Sequence, residues 1–328
     1  MNTKKGLKLV ERDEEGIDTA FRADVLEGLA QSQKAIPARW LYDEAGSQLF
    51  EDITRLPEYY PTRAETEILT ERGAQFAALI GEGRAVVEFG SGSSVKTPLL
   101  LSAIAPSAYI PLDISGEFLR AAAADLAQKF PGLPVYPVEA DFMRRVELPA
   151  EIVDLPKLGF FPGSTIGNMV ARTAVDLLRS MRETLGTGAQ LLIGMDLIKD
   201  EEVLVSAYDD AAGVTAEFNT NLIRRINREL DGDIPVEKLS HEARWHDDCA
   251  RVEMHLVASE ALEFSVDGRR FAMQAGETIH TENSHKFDRR TSNMLLLAGG
   301  WEPQARWLDS EGRFSLILAQ AKPPRSAP

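Results

Sequence analysis

From Asp18 to Ile80 the apolar positions recur at helical spacing, with Phe21, Val25, Leu26 and Leu29 on one face of a first helix. An aromatic-rich stretch, IPARWLYDEAGSQLFEDITRLPEYYPTRAE, leads into a further helical run, and no strand pattern interrupts it. At Ala85 the rhythm changes. Short apolar runs now close on or near Gly or Asp: AVVEFG (85–90), AYIPLD (108–113), PVYPVEADF (134–142), KLGFFPGS (157–164) and QLLIGMD (190–196). Helical segments lie between them, among them SGEFLRAAAADLAQKF and TAVDLLRSMRETLG, the latter stopped by Gly186. Near-continuous apolar strands alternating with helices predict an open, doubly wound parallel α/β sheet.

From Lys199 to Phe287 the pattern breaks again. A long helix, VTAEFNTNLIRRINREL, precedes the runs ARVEMHLVA and LEFSVDGRRFAMQAGETIHTE, which read as antiparallel strands turning at Asp267-Gly268. After it come a helix, KFDRRTSNMLLLAG, and two strands, PQARWLD and RFSLILAQA, expected to rejoin the first sheet as a closing hairpin. Two domains follow from this: residues 64–198 with 288–322, and residues 8–63 with 199–287, the last six residues, 323–328, being a loose tail.

Composition narrows the partners. A chain of 328 residues, 44% apolar, can bury a large core. Its net charge of −15 repels a phosphate backbone, so nucleic acid is not an expected partner. The start, MNTKKGLKLVERDEEG, lacks the apolar core of a secretory signal, no run approaches the ~18 apolar residues of a membrane span, and Cys249 stands alone. A cytoplasmic monomer is expected.

The sharpest chemical signal is Glu88-Phe89-Gly90-Ser91-Gly92-Ser93-Ser94 at the end of the first parallel strand. Glycines there let the backbone turn and approach a ligand at the carboxyl edge of the sheet. A dinucleotide site wants a third glycine where this chain has Val95, which disfavours nicotinamide and flavin cofactors. The same segment resembles the first motif of class I methyltransferases, whose S-adenosyl-L-methionine carries no phosphate. Asp113, ending the second strand, stands where a carboxylate accepts from ribose hydroxyls, and Asp141 and Phe142, ending the third, where they hold adenine. Each feature alone is weak, since Asp at a strand end is commonly a cap; their order along successive strands is the stronger signal. The five histidines lack the four-residue spacing of a zinc helix, the glycine turn is not a nucleophile elbow, and the acidic surroundings of Cys249 disfavour a thiolate, so no metal and no covalent nucleophile is expected.

Six segments in order, LPEYYPTRAE (56–65), VEFGSGSSVKT (87–97), GSTIGN (163–168), AYDDAAGVTAEFN (207–219), NREL (227–230) and ENSHKF (282–287), closely resemble the histidine Nα-methyltransferases of ergothioneine biosynthesis, and the resemblance runs from about Ala35 to Ala321. It implies a Rossmann-like class I methyltransferase sheet with a second, α+β substrate-binding domain, and trimethylation of L-histidine to hercynine with S-adenosyl-L-methionine. It assigns the cofactor to Gly90, Lys96, Asp113, Asp141 and Phe142, and the amino acid to Tyr59, Asn168, Tyr208, Glu282, Asn283 and Ser284, with Tyr42, Gly163 and Asn168 positioning the reacting amine. Phe89 stands where some relatives have Leu, and His285 where some have Cys. The alternatives are the same transfer to tryptophan or tyrosine, a nucleotide-dependent oxidoreductase, or a non-catalytic binding protein.

Overall fold

The computed structural model describes residue 13 and residues 16–92, 96–114 and 116–322. The expected tail, and Ser93, Ser94 and Val95 of the glycine turn, lie outside these. In chain order the strands are β1 (Lys34–Ala35), β2 (Ala85–Phe89), β3 (Ala108–Asp113), β4 (Val138–Glu139), β5 (Lys157–Phe161), β6 (Gln190–Asp196), β7 (Leu239–His246), β8 (Arg251–Ala258), β9 (Leu262–Val266), β10 (Arg269–Met273), β11 (Thr278–His285), β12 (Trp301–Leu308) and β13 (Phe314–Ala321). They fall into two compact units, residues 1–60 with 199–285, and residues 61–198 with 286–328. Among the described residues no helix is long and apolar enough to cross a membrane.

The second of these units is built on a seven-stranded sheet of order β12-β13-β6-β5-β2-β3-β4. The strands from β2 to β6 run parallel, while β13 lies antiparallel between β6 and β12. Alternate residues of the central strands enter two cores: Val87, Phe89, Ile110 and Ile193 on one face, Val86, Tyr109, Phe160 and Leu192 on the other. Burial on both faces is why these strands read as unbroken apolar runs. The expected third strand, 134–142, shrinks to the two residues of β4 and one bridge from Tyr109 to Val135. Pro134 and Pro137 lack the N–H a ladder needs, and β4 is an edge where such a loss is tolerated.

The first unit holds a sheet of order β1-β11-β8-β7 and a separate β9–β10 hairpin. That hairpin turns at Asp267 (φ 51°) and Gly268 (φ 70°), two left-handed residues that match the twist of the flanking strands. Phe218, Leu222, Ile223 and Ile226 of the helix Val214–Glu229 share a core with Met254, Leu256 and Ile279 of the sheet. Two strands were not expected, β7 and the two-residue β1. Only Leu239 and Ala243 of β7 are buried, so its sequence has no two-residue apolar period, and charges such as Glu242 and Arg244 suit an edge strand.

Candidate active site

In the second unit the carboxyl ends of neighbouring strands bring the expected cofactor residues together. Past β2 the chain turns through Gly90 (φ 72°) and Gly92 (φ 38°), backbone that other residues rarely adopt. Gly90 and Ser91 both donate to the Leu112 carbonyl of β3, and the Gly92 N–H points at Asp113 Oδ2 at 3.4 Å. A Cβ on Gly90 would stand 3.5 Å from the ring of Phe142, which packs edge-on against Phe89 and Phe161. Asp141 is exposed, and its Oδ1 accepts from the Met143 N–H, a turn-capping bond.

Lys96 is held by a residue the sequence reading did not single out. Glu65, fully buried, takes the Lys96 ammonium at 2.7 Å and the Gly163 N–H at 2.9 Å on the same carboxylate oxygen. Gly163 is left-handed (φ 80°), and a Cβ there would lie 3.5 Å from Lys96 Nζ. Asn168, half-buried, ends the short helix Thr165–Asn168 that follows. Beneath the glycine turn Glu88, also fully buried, accepts from the hydroxyls of Thr97 and Tyr109. Burial pushes its carboxyl up to about 7 against the pull of those two bonds and of Lys96. These residues fit S-adenosyl-L-methionine: a glycine turn, a carboxylate on the adjoining strand end, an aromatic ring beside the turn, and a buried Ser91 hydroxyl with no partner among the described residues.

The first unit gathers Tyr42, Tyr59, Tyr208, Glu282 and Ser284 of the expected amino-acid residues, whereas Gly163 and Asn168 belong to the second unit. Tyr42, Phe50, Tyr59, Phe218 and Tyr208 form a chain of ring contacts with centroids 5.3–6.2 Å apart. Tyr208 OH meets Ser284 Oγ at 2.7 Å, and Glu282 is only 8% exposed. Tyr42 leaves 37% of its surface open, yet its hydroxyl end is enclosed. Desolvation first, then the Glu282 charge and the phenols of Tyr59 and Tyr208, hold its pKa well above the ordinary tyrosine value, so it stays a neutral phenol. Asn283 is not brought together with these: it lies on the strand face opposite Glu282 and Ser284, paired in register with Glu253.

The support of Tyr208 is not singled out by the sequence pattern. His241 Nε2 meets the Tyr208 carbonyl at 2.7 Å and so carries the proton, while its Nδ1 accepts from the Asn219 amide at 2.9 Å. The available signal was Asn219 itself, a polar residue within the buried stripe of its helix.

The sheet order, with its reversed last strand, and the glycine turn followed by acids at the next strand ends define a class I S-adenosylmethionine-dependent methyltransferase. Residues 21–321 match the family described as "Histidine-specific methyltransferase, SAM-dependent". The chain is 41% identical over 317 residues to a histidine N-alpha-methyltransferase of Mycolicibacterium smegmatis, covering 92% of this chain and 94% of that one. It is 39% identical to a protein of the same name from Mycobacterium tuberculosis, with the same coverage. A 4-dimethylallyltryptophan N-methyltransferase of Aspergillus fumigatus is 23% identical, covering 89% of this chain and 91% of that one. The chain belongs to the histidine-specific, S-adenosylmethionine-dependent methyltransferase family.

Proposed function

We propose that the chain transfers methyl groups from S-adenosyl-L-methionine to the α-amino nitrogen of free L-histidine, three times in succession, to give hercynine on the way to ergothioneine. The observation that carries the substrate is Glu282, a buried carboxylate beside an aromatic wall and the paired hydroxyls of Ser284 and Tyr208. A neutral imidazole offers one N–H and one acceptor nitrogen, so a carboxylate and a hydroxyl can address both edges. The identity of 41% to a histidine N-alpha-methyltransferase, against 23% to the tryptophan-derivative enzyme, supports the same choice.

Bound S-adenosyl-L-methionine supplies an electrophilic methyl group on a sulfonium. The protein's part is to bind, orient and exclude water. Asp113 takes the ribose hydroxyls, Asp141 and Phe142 the adenine, and Lys96, steadied by Glu65, the methionyl carboxylate. Tyr208 donates to the α-carboxylate of histidine, and Tyr42 addresses its amine. An α-amine is mostly protonated at neutral pH and attacks only after losing that proton. Aromatic walls strip water from an ammonium and so favour the neutral amine, whereas a trimethylammonium needs no hydrogen bonds and rests on the ring faces. Alignment supplies the rest. We also read the enzyme as a cytoplasmic monomer without nucleic-acid or membrane partners; the charge of −15 supports the part that concerns nucleic acid.

Steady-state kinetics of Glu282→Ala test the substrate reading. Loss of the carboxylate is expected to raise KM for histidine at least about tenfold, leave S-adenosylhomocysteine affinity nearly intact and relax discrimination against tryptophan. Parental KM in a folded variant removes Glu282 from imidazole recognition.

A further inference from the structure

The strand that carries Glu282 and Ser284 is irregular just before them. Ile279 and Thr281 are buried, and so are Glu282 and Ser284, although side chains of a regular strand alternate between faces. One extra residue resolves the conflict: the register to β8 slips between His280, opposite His255, and Glu282, opposite Met254. This is a β-bulge, and it turns Glu282 and Ser284 to the face they need.

Two side chains pin the bulge, one from each face of the strand. Thr281 Oγ1 donates to the Met254 carbonyl at 3.1 Å. On the opposite face His280 Nε2 lies 3.0 Å from the carbonyl of Glu282, an acceptor only, so the ring nitrogen donates. The His280 ring is itself fixed, stacked on His255 with centroids 4.7 Å apart and planes 18° from parallel. His255 in turn holds Glu253 through Nε2 at 2.9 Å and meets Thr278 Oγ1 through Nδ1 at 3.2 Å, and Arg251 pairs with the other oxygen of Glu253.

We propose that His280 is a positioning residue for amino-acid recognition: by donating to the Glu282 carbonyl, with its ring braced by His255 and Glu253, it fixes the bulge and hence the direction of the Glu282 and Ser284 side chains. This rests on the reading of Glu282 as the imidazole contact. Ligand atoms of Glu253, His255 and His280 all lie within 4.8 Å of one another, so a metal ion is the competing use of the cluster. The geometry disfavours it. Near-parallel rings aim their in-plane lone pairs side by side rather than at one point, both nitrogens of His255 are engaged, and Arg251 already neutralises Glu253.

The test compares His280→Ala, His280→Gln, Thr281→Val and Glu282→Ala in the full chain, with steady-state kinetics, S-adenosylhomocysteine titration and a zinc titration of the parent. His280→Ala is expected to raise KM for histidine roughly five- to tenfold with kcat within about twofold and cofactor affinity unchanged. His280→Gln, whose amide can reach the same carbonyl, returns most of that loss, and Thr281→Val, which removes the other pin at constant size, repeats the KM effect. A merely structural role would instead lower kcat and cofactor binding together and would not respond to Gln. Parental KM in His280→Ala and Thr281→Val, with Glu282→Ala impaired, overturns the proposal and leaves the reading of Glu282 standing. A silent Glu282→Ala removes that reading and the proposal with it. Stoichiometric zinc binding by the parent that His280→Ala abolishes assigns the cluster to a metal and also overturns the proposal.

Discussion

Two buried carboxylates in the second unit show how much a single residue type can conceal. In the sequence Glu65 is the last letter of LPEYYPTRAE, and Glu88 opens the glycine motif. A glutamate is almost never fully buried unless it is paired, so neither stood out as interior. The structure pairs Glu65 with Lys96 and the Gly163 N–H, and Glu88 with two hydroxyls. Glu88 carries a pH dependence whose sign follows from its carboxyl at about 7, above the ~4.3 of an unfolded glutamate. Below pH ~4.3 Glu88 is protonated in both states and its burial carries no ionisation penalty. As pH rises to about 7 the unfolded chain ionises first, and on the order of 3 kcal/mol is lost. Glu88→Gln cannot ionise. Denaturant unfolding at pH 5 and pH 8 is therefore expected to show the variant gaining on the parent as pH rises; a constant difference would mean that Glu88 titrates normally.

Among elements, legibility followed the physics of burial. The parallel strands β2, β3, β5 and β6 were readable because both faces are covered, and the Asp267-Gly268 turn because its backbone demands those residues. Strand β7 was not readable, since an edge strand with charged residues carries no period. The bulge in β11 was hidden too: around Thr281 the run His-Thr-Glu-Asn-Ser offers no apolar alternation from which a slip could be counted. The site residues that sit at strand ends, Gly90 and Asp113, could be placed from the strands alone, whereas Tyr59, Tyr208 and Glu282 came only from resemblance. Asp113 tests the strand-end assignment. With its carboxylate removed, S-adenosylhomocysteine should bind about 1.5–3 kcal/mol more weakly by calorimetry, the range for a charged hydrogen bond. Unchanged affinity in a folded Asp113→Ala takes the end of β3 out of the cofactor site.

For the whole molecule, the first 60 residues share a compact unit with residues 199–285, and the cofactor strands lie in the other. Composition weighed against nucleic acid as a partner but named no substrate, because a buried acid and a set of tyrosines become visible as one group only once the chain brings Tyr42, Tyr59, Tyr208 and Glu282 together. Incubation of the full chain with S-adenosyl-L-methionine and each standard amino acid in turn, followed by mass spectrometry, is the most direct check. Histidine is expected to gain one, two and finally three methyl groups, accumulating as hercynine, while tryptophan and tyrosine stay essentially unmodified. Unmodified histidine, or tryptophan or tyrosine methylated as readily as histidine, would contradict the account.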